Sequence, residues 1–172
     1  SLLPVKASPE ALAAAHAFVV ERQRANLLEA GFRFDVIDAV LAEQGDDPWK
    51  ARQAIEQLNA LVASADWPAI LAATSRCARI VKSAPASSAA AGQDDDPASR
   101  ALAHALISTP EPTDIPSLVA GLSALAPAIN TFFEKVMVMA EDPDLRAARL
   151  ALVSQVAGLS KGLMDFSRLE GF

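Results

Sequence analysis

Asp142-Pro143-Asp144-Leu145-Arg146-Ala147-Ala148-Arg149-Leu150-Ala151-Leu152-Val153-Ser154-Gln155-Val156, running on toward Leu169, is the stretch whose reading decides the fold. An aspartate followed by proline opens a helix: the carboxylate accepts from free amides of the first turn, and proline suits the first helical position. Apolar residues then recur at Leu145, Ala148, Leu152, Val156, Leu159, Leu163 and Phe166. Spacings of three and four put them on one helix face, so residues 143–169 are predicted to form the longest helix, with one side buried. Gly158 and Gly162 weaken its propensity and permit a close helix crossing. Such a stripe needs other apolar helices to cover it.

The upstream sequence supplies them. Ser8 and Pro9 begin a helix over 9–30, with Leu12, His16, Val19, Gln23 and Leu27 on one imperfectly apolar stripe. Gly31 suits a left-handed stop, after which Phe32 folds back on Leu27 or Leu28. A second helix starts after Asp35, carries Val36, Ile37, Val40 and Leu41, and ends at Gly45. Asp47-Pro48 opens a third, with Ala51, Ile55, Leu58 and Val62. A fourth follows Asp66, with Ile70, Thr74, Cys77, Ala78 and Val81 along one side. Residues 83–96 are alanine, serine and a run of three aspartates, the composition of a mobile linker between two helical halves. Beyond it, a helix over 97–108 carries Leu102, Leu106 and Ile107, and another runs from Pro116 to about Leu125. A further helix holds Phe132, Phe133, Val136, Met137 and Met139. The expected fold is all-α: one domain over 1–172, a bundle of seven to eight helices.

Composition agrees. Hydrophobic residues are 52% of 172, enough to bury a core, and charged residues are 21%. Tyrosine is absent, and β-branched residues rarely alternate with polar ones, which argues against a sheet. One cysteine, Cys77, excludes an internal disulfide framework and fits a reducing compartment. No apolar run reaches the roughly 18–20 residues that span a bilayer, and Pro4, Lys6, Ser8 and Pro9 break up anything resembling a signal peptide. Net charge is −6, unusual for a nucleic-acid binder, so an RNA-binding reading depends on where individual charges sit.

No catalytic residues and no metal ligands stand out. His16 and His104 have no histidine, cysteine or paired carboxylate nearby and read as half-buried structural residues. No serine lies on a strand-turn-helix elbow, and there is no glycine-rich phosphate loop. The carboxylates at Asp46-Asp47, Asp94 to Asp96 and Glu141-Asp142 lie at helix starts, where they cap and complement the dipole. The cluster of Phe132, Phe133, Val136, Met137 and Met139 has helical spacing and reads as core rather than as a ligand cage. Trp49 and Trp67 each begin a helix and read as docking one helix end onto a neighbour. The exception is helix four. Arg76, Arg79 and Lys82 lie opposite its apolar side, and no acidic residue occurs between Asp66 and Asp94. Arginine suits RNA, because its planar fork pairs with phosphates and base edges and its plane stacks on bases. Arg146, Arg149, Lys161 and Arg168 form a second, sparser set of candidates on the last helix.

Four stretches together carry a resemblance. They are Leu27-Leu28-Glu29-Ala30-Gly31-Phe32-Arg33-Phe34-Asp35-Val36-Ile37-Asp38-Ala39-Val40-Leu41-Ala42, Phe132-Phe133-Glu134-Lys135-Val136-Met137-Val138-Met139-Ala140-Glu141-Asp142, Leu145 through Leu152, and Asp165-Phe166-Ser167-Arg168-Leu169. In this order the chain resembles the C-terminal domain of the bacterial glycyl-tRNA synthetase beta subunit, a helical anticodon-binding domain of the DALR type. The resemblance implies a domain with no catalytic centre of its own that grips the anticodon stem and loop of tRNA(Gly). It implies a heterotetramer with the alpha subunit and the rest of the beta subunit, with ATP and Mg used at the alpha-subunit site. No cofactor is implied here, and neither a membrane nor DNA as partner. The implied location is the cytoplasm, or a plastid for a plant-type relative. The chain departs from the family at Ser75-Arg76-Cys77-Ala78-Arg79-Ile80, where a Lys-Arg-x-x-Asn-Ile run is usual, and at Arg146-Ala147-Ala148-Arg149-Leu150, where Arg-x-Asn-Arg-Leu is common. The residues alone leave a second reading open, a helical module for protein interaction or subunit assembly.

Overall fold

The computed structural model describes residues 8–83 and 94–172. Most of the 83–96 linker lies outside the described residues; Ser83 ends one helix, and Asp94 to Asp96 lead into the next. Among the described residues are seven α-helices and no strand: α1 (Pro9–Glu29), α2 (Phe34–Gln44), α3 (Pro48–Leu61), α4 (Trp67–Ser83), α5 (Pro97–Ser108), α6 (Ile115–Lys135) and α7 (Pro143–Gly158). A 3-10 turn, Phe166–Arg168, follows.

The helix starts are those that the cap signals predict. Ser8, Asp47, Asp96 and Asp142 each accept from first-turn amides, with proline next in the chain. The α1 stop is a Schellman motif: Phe32 N–H donates to Leu27 O (3.3 Å), Gly31 N–H donates to Leu28 O (2.9 Å), and Gly31 has φ 89°. Helix α2 begins earlier than expected, because Asp35 is not its cap. Asp35 lies in the first turn, fully buried, and takes two bonds from Arg33 (2.9 and 2.8 Å) and one from the Glu170 amide (3.0 Å).

Other expectations change as well. The two helices read on either side of Pro127 are one, α6. Pro127 costs a backbone bond, but burial of Leu125, Ile129 and Phe132 around it keeps the helix continuous. The merged helix is long and apolar enough to cross a membrane by length and composition, contrary to the sequence reading; Leu118, Leu122, Leu125, Ile129 and Phe132 are nevertheless buried in the bundle, as in a core helix. After Lys135 the chain is not helical: Val136 is extended and the chain bends at Val138 and Met139, with Val136, Val138 and Ala140 buried while Met137 and Met139 are exposed. The last helix stops at Gly158 instead of near Leu169. Gly162, at φ 76°, turns the chain back, and residues 159–172 form a hook across α2. Its ties to α2 are Gly162 N–H to Glu43 Oε2 (2.8 Å), Gln44 Nε2 to Leu163 O (2.7 Å) and Asp165 N–H to Ala39 O (2.9 Å).

The hook and a direct contact of α3 with α6 join the two groups of helices. Helix α2 packs on α1 and α3, α4 packs on α6 and α7, and α5 packs on α6 and α7. The 3-10 turn touches both α2 and α4. Trp67 does dock as expected, buried and stacked 6.5 Å from Phe166. Trp49 does not: it is 70% exposed, as are much of Leu12, Phe18, Val19 and Ile107. His16 and His104 are exposed rather than half-buried; His16 Nε2 lies 2.6 Å from Asp46 Oδ1.

Candidate nucleic-acid interface

Helix α4 begins where the Asp66 carbonyl accepts from the Ala69 and Ile70 amides, both at 3.2 Å. Its inner face, Ile70, Leu71, Ala73, Thr74 and Cys77, is buried against α6 and α7. Burial pushes the Cys77 thiol up to about 12, so it is an inert core residue. The helix period then leaves Arg76, Arg79 and Lys82 exposed on the outer face.

Tertiary structure adds an aromatic ring beneath each arginine. The Arg76 guanidinium carbon lies 4.4 Å from the centroid of the Phe133 ring, and that of Arg79 lies 5.4 Å from the Phe172 centroid. Phe133 also meets Phe132 edge to face at 5.4 Å, so its ring is held in place. Cation–π contact orients a guanidinium plane without neutralising it. None of the ion pairs among the described residues involves Arg76, Arg79 or Lys82. The surface is locally cationic on a chain of net charge −6.

The other four basic candidates separate by environment. Arg149 is held inside the molecule: it pairs with Asp94 at 2.7 Å, with side chains only 13% and 9% exposed, and donates to Met137 O at 2.9 Å. The Arg149 guanidinium, with further bonds from Ser99 and the Asp96 amide, holds the Asp94 carboxyl down at about 2 despite burial. Arg146 is half-buried and donates to Ala140 O at 3.0 Å, closing the segment after α6 onto α7. Both serve the fold first, which their three-residue spacing does not disclose. Lys161 is exposed, in a separate recess with Glu111, Pro112 and Gln155. Arg168 is exposed on the hook, in a 3.4 Å contact with Asp165.

Between α4, α7 and the hook lies an open recess of about 280 Å³, lined among others by Lys82, Ala157, Ser160, Asp165, Phe166 and Phe172. It borders the α4 face directly, since Lys82 and the Arg79-bearing Phe172 belong to its wall. Burial raises the Asp165 carboxyl, but bonds from the Ser167 hydroxyl and amide, with help from Arg168, outweigh it and hold it below its ordinary value. Phe133, Asp165 and Phe172 were not legible as site residues; only folding brings them beside α4.

A family model for the DALR anticodon binding domain matches residues 70–166, more than half of the chain. The chain belongs to the DALR anticodon-binding domain family. The part matched runs from α4 to the 3-10 turn, so Arg76, Arg79 and Lys82 fall inside the DALR region. The DALR chain is also similar to proteins named glycine–tRNA ligase beta subunit. That of Anaeromyxobacter sp. (strain K) is 36% identical over 149 residues, covering 81% of this chain and 21% of that protein. That of Desulfatibacillum aliphaticivorans is 34% identical over 171 residues, 89% of this chain and 24% of that protein. That of Rhodospirillum centenum is 36% identical over 172 residues, 90% of this chain and 24% of that protein. The DALR chain thus spans about a fifth to a quarter of the length of these relatives.

Proposed function

We propose that this domain recognises the anticodon stem and loop of tRNA(Gly) through the outer face of α4, as part of the beta subunit of a glycine–tRNA ligase. The observation that carries it is the un-neutralised set of Arg76, Arg79 and Lys82, two of them backed by aromatic rings, within the region matching an anticodon-binding family. Phosphate contacts position a protein on RNA, while base contacts and stacking on arginine or aromatic planes give specificity. This face offers all three. In the complete enzyme the partners would be the alpha subunit and the remainder of the beta subunit, in a heterotetramer of the cytoplasm. ATP and Mg would act at the alpha-subunit centre.

The test is a titration of labelled tRNA(Gly) at two salt concentrations, against a non-cognate tRNA. Affinity should fall steeply with salt as counterions are released. Arg76→Ala and Arg79→Ala should each cost about 1–3 kcal/mol if they touch bases, or reduce the salt slope by about one if they touch phosphate. Equal weak binding to every tRNA, unchanged by either substitution, would sink the reading.

A second reading, subunit assembly, has its own observation: Leu12, Phe18, Val19 and Trp49 form an apolar surface around α1 that none of the described residues covers. Capture of an alpha subunit by the domain, with no crosslink to tRNA, would favour it.

A further inference from the structure

The recess beside α4 has a shape and a donor–acceptor pattern of its own. At about 280 Å³ it falls just below the roughly 300–1,000 Å³ of ordinary small-molecule pockets, a size for one ring system rather than a whole nucleotide. Its apolar surfaces come from Ala78, Ala157, Phe166 and Phe172. The small size of Ala78 and Ala157 on facing helices leaves the space open. Lys82 supplies a cation to the wall, and Arg79, over the Phe172 ring, lies next to it.

The polar side is asymmetric. Asp165 Oδ1 is already engaged, accepting from the Ser167 amide (2.9 Å) and hydroxyl (2.7 Å). Oδ2 has only the long 3.4 Å contact from Arg168. A carboxylate oxygen can take two donors, so Oδ2 keeps capacity for another. An ionised carboxylate accepts and never donates. It therefore repels a bare phosphate and a carbonyl edge, and it favours an N–H₂ group over the N3–H of uracil, which is flanked by two carbonyl oxygens.

We infer that this recess receives a single unpaired nucleobase of the bound RNA, and that Asp165 makes it prefer bases with an exocyclic amine (cytosine, adenine or guanine) over uracil. The base stacks on the aromatic and alanine surfaces, its amine meets Asp165 Oδ2, and its 5′ or 3′ phosphate meets Lys82 and Arg79. The inference rests on the RNA-binding reading above and names a subsite and a selectivity within it.

The experiment uses the full 172-residue chain and RNA stem-loops in which each loop position is varied through the four bases, with binding followed by anisotropy. One loop position should show uracil bound about tenfold more weakly than the amine-bearing bases. Asp165→Asn keeps a capping oxygen for the Ser167 amide yet can both donate and accept, so the discrimination at that position should shrink to about twofold or less. Ala157→Leu, a good helix former at a half-buried site, should fill the recess and weaken every stem-loop about tenfold, with its circular dichroism unchanged. A folded Ala157→Leu variant with wild-type affinity overturns the inference, as does an Asp165→Asn variant that keeps full discrimination. If Arg76→Ala and Arg79→Ala still weaken binding in that case, the RNA reading stands and only the base recess is lost. If the wild-type chain binds no stem-loop, both are overturned.

Discussion

Arg149 offers the sharpest separation of folding from binding. Sequence places it among the candidate RNA contacts, whereas the structure pairs it with Asp94 at 2.7 Å, both side chains largely buried. Lowering a carboxyl from 3.8 to about 2 corresponds to about 2 kcal/mol of stabilisation. Arg149→Ala removes the largest contribution to this, while the bonds from Ser99 and the Asp96 amide remain, and it also leaves Met137 O without its 2.9 Å donor, worth about 1 kcal/mol more. The expected loss is about 2–3 kcal/mol, read from urea denaturation followed by far-UV circular dichroism. The pH dependence has a definite sign. Because the folded Asp94 is held below its ordinary value, its contribution is complete above 3.8 and disappears as pH falls toward 2. The stability difference between wild type and Arg149→Ala should therefore narrow over that window. An Arg149→Ala variant within about 0.5 kcal/mol of wild type, but with tenfold weaker RNA binding, would refute this assignment and restore Arg149 to the interface.

Further outcomes follow from the same geometry. Gly162→Ala meets no atom within 4 Å, but φ is 76°, so it should cost about 1–2 kcal/mol from backbone conformation alone, seen as a lower Tm. Trp67→Ala empties a buried site stacked on Phe166 and should cost about 3–5 kcal/mol in denaturant titration. Asp35→Asn weakens the paired bonds from Arg33 and the bond from the Glu170 amide, and amide exchange at Glu170 should accelerate ahead of exchange in α6. Cys77, buried and with its thiol pushed up to about 12, should react with maleimide only when urea opens the fold.

The helical class and most helix starts were readable in advance because their causes are local. An aspartate or serine ahead of a proline satisfies free amides within one turn, whatever the rest of the chain does, and Ser8, Asp47, Asp96 and Asp142 all cap helices as read. Arg76, Arg79 and Lys82 were legible for the same reason: a helix with a buried side must turn its other side outward. Helix ends were less readable. Pro127 is a local breaker overruled by burial on both sides, while Gly158 and Gly162 ended a stripe whose apolar residues went on being buried from a hook rather than from a helix. Periodicity reports which residues are buried, and Leu163 and Phe166 are, but it does not say which backbone delivers them.

By itself, then, the chain's sequence determined that it is helical, where most helices begin, and which arginines on α4 stay outside, since each follows from contacts a few residues apart. Tertiary structure alone decided which cations are free. Arg149 and Asp94 lie 55 positions apart, and Phe172 reaches Arg79 only after the hook has folded back. Pairing, burial and ring placement at that separation depend on how helices pack, and no pattern within a single helix carries that information.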